Sequence, residues 1–172
     1  QFSICEGAVK IDELKETAKE LKINSLGLSD TSNLCGAIEF SDKLSKVGTQ
    51  PIIGTQINFK FEETIGLLPL FSLNSDGYKK IIELSSKSYL KNDHTSDPHL
   101  DINDLLNLKT DGISIFSGTI FGLFGKLFDK GKFLEIENLY KRIKVNFKDK
   151  FYLEIQRHKD LNEEEFEKFN LK

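Results

Sequence analysis

Residues 26–56, LGLSDTSNLCGAIEFSDKLSKVGTQPIIGTQ, leave the chain little freedom in its local structure. Leu26 and Leu28, with small residues around them, predict a short apolar strand running into Asp30. Helical spacing follows: Leu34, Ala37, Ile38, Ser41, Leu44 and Val47 share one face, while Glu39, Asp42, Lys43 and Lys46 turn outward. Gly48 stops that helix, and Pro51-Ile52-Ile53-Gly54 opens a second strand with the continuous apolar start of a strand buried on both faces. Two strands joined by such a helix are expected to be parallel, with a right-handed crossover. Their C-terminal ends, Asp30-Thr31 and Thr55-Gln56, then share one rim, where α/β barrels place their chemistry.

The rest of the chain repeats the alternation. Phe2 to Gly7 reads as the end of an element that begins before Gln1, and Ile11, Leu14, Ala18 and Leu21 stripe a first helix with Asp12 as its N-cap. Ile57, Phe59 and Phe61 alternate with Asn58, Lys60 and Glu62, a strand with one wet face. Residues 64–73 are apolar, but Pro69 argues against a regular strand there. Asn74 to Gly77 is a turn and cap, followed by a helix from Tyr78 to about Leu90 that buries Ile81, Ile82 and Leu84. Residues 91–99 form a polar loop in which His94 and His99 are solvated. Asp101 with Asp104 caps a short helix carrying Leu105 and Leu106, and residues 112–117 form a strand ending at Gly118. A helix carrying Phe121, Phe124, Leu127 and Phe128, a break at Lys130-Gly131, and a longer helix striped by Phe133, Ile136, Leu139 and Ile143 come next. Residues 151–156 form the last strand and deliver His158 past its end; a solvated acidic helix, Glu163 to about Phe169, closes the chain. This is an α/β layer or barrel, one domain over residues 1–172.

Charge narrows the function classes. Lys and Arg total 24 against 27 Asp and Glu, a net charge of −3, so the chain lacks the clustered positive excess of a main nucleic-acid grip. Cys5 and Cys35 make neither a CxxC pair nor a disulfide framework, which fits a reducing cytoplasm. No apolar run is long enough to span a bilayer, so no membrane partner is expected.

SDTSNLCGAIEF followed by PIIGTQ resembles the PHP (polymerase and histidinol phosphatase) domain of the bacterial DNA polymerase III alpha subunit family, with its T-D-H-G-N-L-x-G-A-x-E-F and P-I-I-G-x-E patterns. FSICEGAVKIDEL, SLNSDGYKKIIELSSKSYL and FYLEIQRH resemble that family's other landmarks, in its order. The resemblance implies a distorted β/α barrel of PHP type, incomplete here because its first and closing strands fall outside the chain. It also implies a rim that, in active members, holds up to three divalent metals through histidines and carboxylates, which polarise phosphate and generate hydroxide.

Carried over by position, that ligand set is degraded. Glu6 stands where a ligand aspartate is usual, and His158 matches a retained histidine; these two are the only weak metal candidates. Thr31 stands at a histidine position, and its hydroxyl cannot replace imidazole toward Zn, Mn or Fe. Gln56 replaces the glutamate of P-I-I-G-x-E, and Leu67 aligns with another histidine. Each has a plain structural reading as well. Thr31 and Ser32 suit a turn, Gln56 suits a polar rim, Asp30 serves as a cap or rim acid before it serves as a base, and His158 alone reads first as a hydrogen-bonded histidine. Arg157 could clamp a phosphate or pair with Glu154 or Glu6; with the ligand set broken, pairing is preferred.

The resemblance therefore implies a catalytically silent scaffold, with no catalytic residue and no cofactor of its own, inside a replicative polymerase that uses Mg for template-directed DNA synthesis. Its implied partners are the rest of the alpha subunit, the proofreading exonuclease subunit and other replisome subunits, with DNA reached through the parent. The alternatives are an active metal-dependent phosphoesterase or 3'-5' proofreading exonuclease, and a stand-alone phosphatase of histidinol-phosphate type. Thr31 and Gln56 speak against the first, and the polymerase-like FYLEIQRH against the second.

Overall fold

The computed structural model describes residues 9–92, 96–109, 111–158 and 162–172. Cys5, Glu6 and His94, singled out above, lie outside the described residues. The elements alternate as helix α1 (Ile11–Glu20), strand β1 (Ser25–Thr31), α2 (Ala37–Ser45), β2 (Gln50–Phe61), β3 (Thr64–Ser72) and α3 (Ser75–Leu90). Then come β4 (Leu100–Asp101), α4 (Ile102–Leu106), β5 (Ile113–Phe116), α5 (Leu123–Asp129), α6 (Phe133–Phe147), β6 (Phe151–Tyr152) and α7 (Glu163–Asn170). The strands form one mixed sheet in the order β1-β2-β3-β5-β6, with β4 also beside β2. The α/β expectation holds, and among the described residues the sheet stays open, as expected of an incomplete barrel.

β1 and β2 are parallel, in register from Ser25↔Gln50 to Thr31↔Gln56. The two strands expected at 51–54 and 57–61 are one twelve-residue strand, β2. β3 is regular and antiparallel to both β2 and β5, despite Pro69. The reason lies in the hydrogen-bond phase. Gln56 gives its carbonyl to the Ser32 N–H on the β1 side (2.8 Å), so its partner Pro69 sits in a non-hydrogen-bonded pair. On its other side Pro69 lies one residue past the last pair with β5, Leu70↔Ile115. The missing N–H therefore costs the ladder nothing.

Period-2 alternation divides the sheet into two unlike faces. Ile57, Phe59, Leu68, Leu70, Ile113 and Ile115 bury one face against α3, α5 and α6. Leu26, Leu28 and Ile53 pack with Phe40 and Leu44 of α2 and with Ile11 and Ala18 of α1. Full burial of Phe40, Phe59 and Phe124 contributes about 1.5–3 kcal/mol each.

Helical geometry corrects several expectations. Neighbouring helix residues lie about 100° apart, so Ala37, Phe40 and Leu44 face the sheet while Ile38 is 82% exposed; likewise Ile81 is buried and Ile82 is not. Leu21 falls past the end of α1 and is exposed, and Phe121 is exposed ahead of α5. Asp12 is not a cap: α1 begins at Ile11, and Asp12 pairs with Lys43 at 2.6 Å. Asp101 does cap α4, accepting from the Asn103 N–H, while Asp104 instead bridges Lys87 of α3 and Lys91 at its C-cap. His99 is half-buried, its Nδ1 bonding the Asp97 carbonyl at 2.8 Å.

Gly54 lies where the sheet has no room. A Cβ built there meets the Leu70 carbonyl oxygen, and the Phe71 ring at 2.5 Å. Gly54→Val is expected to destabilise the fold by about 1–3 kcal/mol through overpacking; an unchanged denaturant midpoint would refute this. For Asp104, burial acts to raise the carboxyl, but the bonds and charges of Lys87 and Lys91 outweigh it and hold it below the ordinary range. A depressed folded-state pKa stabilises at pH above the unfolded value, and the gain is lost as pH falls through the folded value. Asp104→Asn should then cost about 1 kcal/mol at neutral pH. Its melting temperature should converge on the parent's below about pH 4, and a gap that persists undiminished into stronger acid would count against the ion pairs.

Candidate functional site

The sheet face away from the helices carries the rim. Thr31 and Gln56 are partners across β1 and β2, and Gln56 is the partner of Pro69 across β2 and β3, so the three form one row. Leu67 lies one step further along β3, half-buried opposite Asn58 and on the same face as Pro69. Asp30, by contrast, is buried on the helix-covered face, where Thr55 Oγ1 donates to its carbonyl at 2.8 Å. The loop that follows β1 is fixed from three sides. Ser32 adopts φ 56°, its N–H bonds Gln56, and its carbonyl accepts from the Tyr89 hydroxyl of α3 at 2.9 Å.

The sequence reading placed Arg157 and His158 on this rim, but the structure turns both toward α7. The strand expected over 151–156 is confined to Phe151–Tyr152, since among the described residues it pairs only with the short β5. Beyond it the Glu154 N–H bonds Ser117 Oγ (2.9 Å), and the chain then bends at His158. Arg157 grips Glu167 with Nε at 3.0 Å and Nη2 at 2.5 Å rather than Glu154; the other expected partner, Glu6, lies outside the described residues. That pair holds the guanidinium even further toward its charged form and keeps the Glu167 carboxyl below its ordinary value. The His158 N–H donates to Glu163 (2.7 Å), and its Nδ1 lies 3.3 Å from the same carboxylate. Glu163 is buried, so the acidic helix is not simply a solvated face. Further down α7, Asn170 accepts from the Tyr140 hydroxyl at 2.8 Å, and burial pushes that phenol up.

Beside Gln56 the open face forms a cavity of about 430 Å³. Ser29 lies at one side of it, Glu154 and Gln156 at another, with Pro69, Phe71 and Phe116 as apolar wall and Thr119 at the edge. Phe71 and Phe116 meet edge to face at 5.2 Å. Gln156 Nε2 donates to Glu154 Oε1 at 2.8 Å, and Ser29 Oγ is buried without a hydrogen-bond partner. Ser29 and Gln156 were missed from the sequence, and Glu154 figured there only as a partner for Arg157. The available signal was alternation from Tyr152, which stacks on Phe116 and sets 154 and 156 on the same face.

No three His, Cys, Asp or Glu side chains gather closely enough to hold a metal ion among the described residues. Thr31, Gln56 and Leu67 offer a hydroxyl, an amide and a hydrocarbon where imidazole or carboxylate would be needed, so the described rim residues do not fit a metal cluster.

Relatives match along most of the chain. A protein of Caulobacter vibrioides named DNA polymerase III subunit alpha is 32% identical over 170 residues, covering 91% of this chain and 14% of its own length. Proteins of the same name from Borreliella burgdorferi and Vibrio cholerae are 33% and 30% identical over 91% and 99% of this chain. The chain spans only about 14–15% of the length of these relatives. A Bifidobacterium adolescentis structure provisionally assigned as a metal-dependent phosphoesterase aligns with 49% of this chain and 29% of its own at TM-score 0.39 and 18% identity, too distant to carry an argument. The PHP domain profile matches residues 1–158, and on that match the chain belongs to the PHP domain family.

Proposed function

We propose that this chain is the PHP domain of a replicative DNA polymerase alpha subunit and serves there as a metal-free scaffold rather than as a phosphoesterase. The observation that carries the reading is the row formed by Thr31 and Gln56, with Leu67 beside it: the sheet brings these positions together at the rim, and their side chains lack the charge and donors that a multi-metal clamp needs. Nucleotidyl transfer, and the Mg it uses, belongs to other parts of the proposed parent. The rest of the alpha subunit is the first partner of this domain, and the proofreading exonuclease subunit and other replisome subunits are further ones. No described helix is long and apolar enough to cross a membrane, which agrees with work in the cytoplasm.

The test is metal analysis of the intact protein, with hydrolysis assays on a phosphomonoester and on single-stranded DNA. Absence of stoichiometric Zn or Mn and of hydrolysis is the expected result. Bound metal with turnover abolished by a chelator and by His158→Ala would overturn the scaffold reading in favour of an active phosphoesterase or exonuclease.

A further inference from the structure

We propose that the cavity beside Gln56 binds an uncharged polyhydroxy ligand, a pentose or the pentose of a nucleoside, in place of the phosphate that a metal-loaded rim would take. The inference rests on the scaffold reading, since a metal-filled rim would recruit phosphate instead.

The lining chooses the ligand by charge. Among the described residues no lysine, arginine or histidine lines the cavity, and Arg157, the nearest cation along the chain, is committed to Glu167. Among the described residues the one formal charge in the lining is the Glu154 carboxylate. An anion would face that carboxylate without compensation, whereas hydroxyl groups would donate to it. Gln156 already donates to one Glu154 oxygen, leaving the other to accept.

The remaining polar groups are neutral and suit hydroxyls. Ser29 Oγ is buried with no partner, a costly arrangement unless a ligand or water satisfies it. The Gln56 amide makes no hydrogen bond among the described residues and supplies a donor and an acceptor across the cavity from Glu154. Phe71 and Phe116 provide apolar faces for the C–H side of a sugar ring. A volume of about 430 Å³ accommodates a nucleoside, and a largely apolar wall with few convergent polar groups is the usual make-up of a small-molecule site.

Saturation-transfer NMR on the intact protein tests this with three probes: ribose, adenosine and ribose 5-phosphate. Transfer to the ribose protons of the first two, with ribose 5-phosphate markedly weaker, is the expected result; transfer that extends to the adenine protons would identify the nucleoside as the fuller ligand. Ser29→Ala, which removes only the buried hydroxyl, should weaken ribose binding about fivefold, the worth of one neutral hydrogen bond, without lowering the melting temperature. Gln156→Leu provides a second variant at a half-buried position should the first fail to fold. No transfer from ribose or adenosine, equal or stronger binding of ribose 5-phosphate, or affinity unmoved by both variants would overturn the proposal. Failure here without bound metal leaves the scaffold reading standing, whereas stoichiometric metal defeats that reading whatever the sugars do.

Discussion

The ring of Phe71 lies where the side chains of two glycines would be. A Cβ built at Gly27 comes within 3.2 Å of it, and one at Gly54 closer still. Gly54 is also paired with Ser29 of β1 and with Phe71 of β3, so one residue sits at the crossing of three strands. Glycine weakens a strand interior by itself, and the ring filling the vacated space restores the packing. From Phe71 the contact passes to Phe116 and on to Tyr152, each step 5.2 Å between ring centroids, so an aromatic row spans β3, β5 and β6. Phe71 and Phe116 of this row, with Pro69, form the apolar wall of the cavity. A side chain at Gly54 would displace the wall as well as strain the sheet.

The antiparallel hairpin is the second constraint. Helices follow β1 and β3, but β2 turns straight into β3 through Glu62, at φ 52°. The helical layer therefore omits one position, and a groove of about 680 Å³ opens between α2 and α3 over Pro51 and Ile53 at the start of β2. Ile38 borders that groove, which accounts for its exposure: its helix has no neighbour on that side. The strand start expected to be buried on both faces is consequently only half-buried at Ile52 and Ile53.

The β1–α2–β2 unit was legible because apolar runs, helical spacing and Gly48, which adopts φ 79°, agree with one another. Thr31 and Gln56 could be placed together on the rim for the same reason: a parallel pair joined by a helix must end on one side. What misled the reading was information that local pattern does not contain. Pro69 looked like a strand breaker because the hydrogen-bond phase of its neighbours is invisible in sequence. Arg157 and His158 looked like rim residues because nothing local shows that α7 folds back and offers Glu163 and Glu167 to them. Glu154 read only as a partner for Arg157, and Gln156 not at all, because alternation running from Tyr152 is a weaker local signal than a histidine at a strand end.

On the proposed metal-free reading, the carboxylates of α7 also explain how the rim keeps its shape. A coordinated metal fixes a strand end by tying it to donors from other strands. Here the segment after β6 is tied down differently. Ser117 Oγ accepts the Glu154 N–H, Glu163 accepts the His158 N–H from a buried position, and Glu167 takes the Arg157 fork. These partners are unequal in weight. The Arg157 guanidinium is largely solvent-exposed, so its pair with Glu167 is screened by water and holds the chain weakly. The buried Glu163, bonded directly to the backbone, holds the turn more firmly. Because Arg157 and His158 are drawn outward by α7, Glu154 and Gln156 are the residues of this segment left facing the cavity. The same contacts that anchor the segment commit Arg157 to α7, so that among the described residues the cavity lining carries Glu154 and no cation.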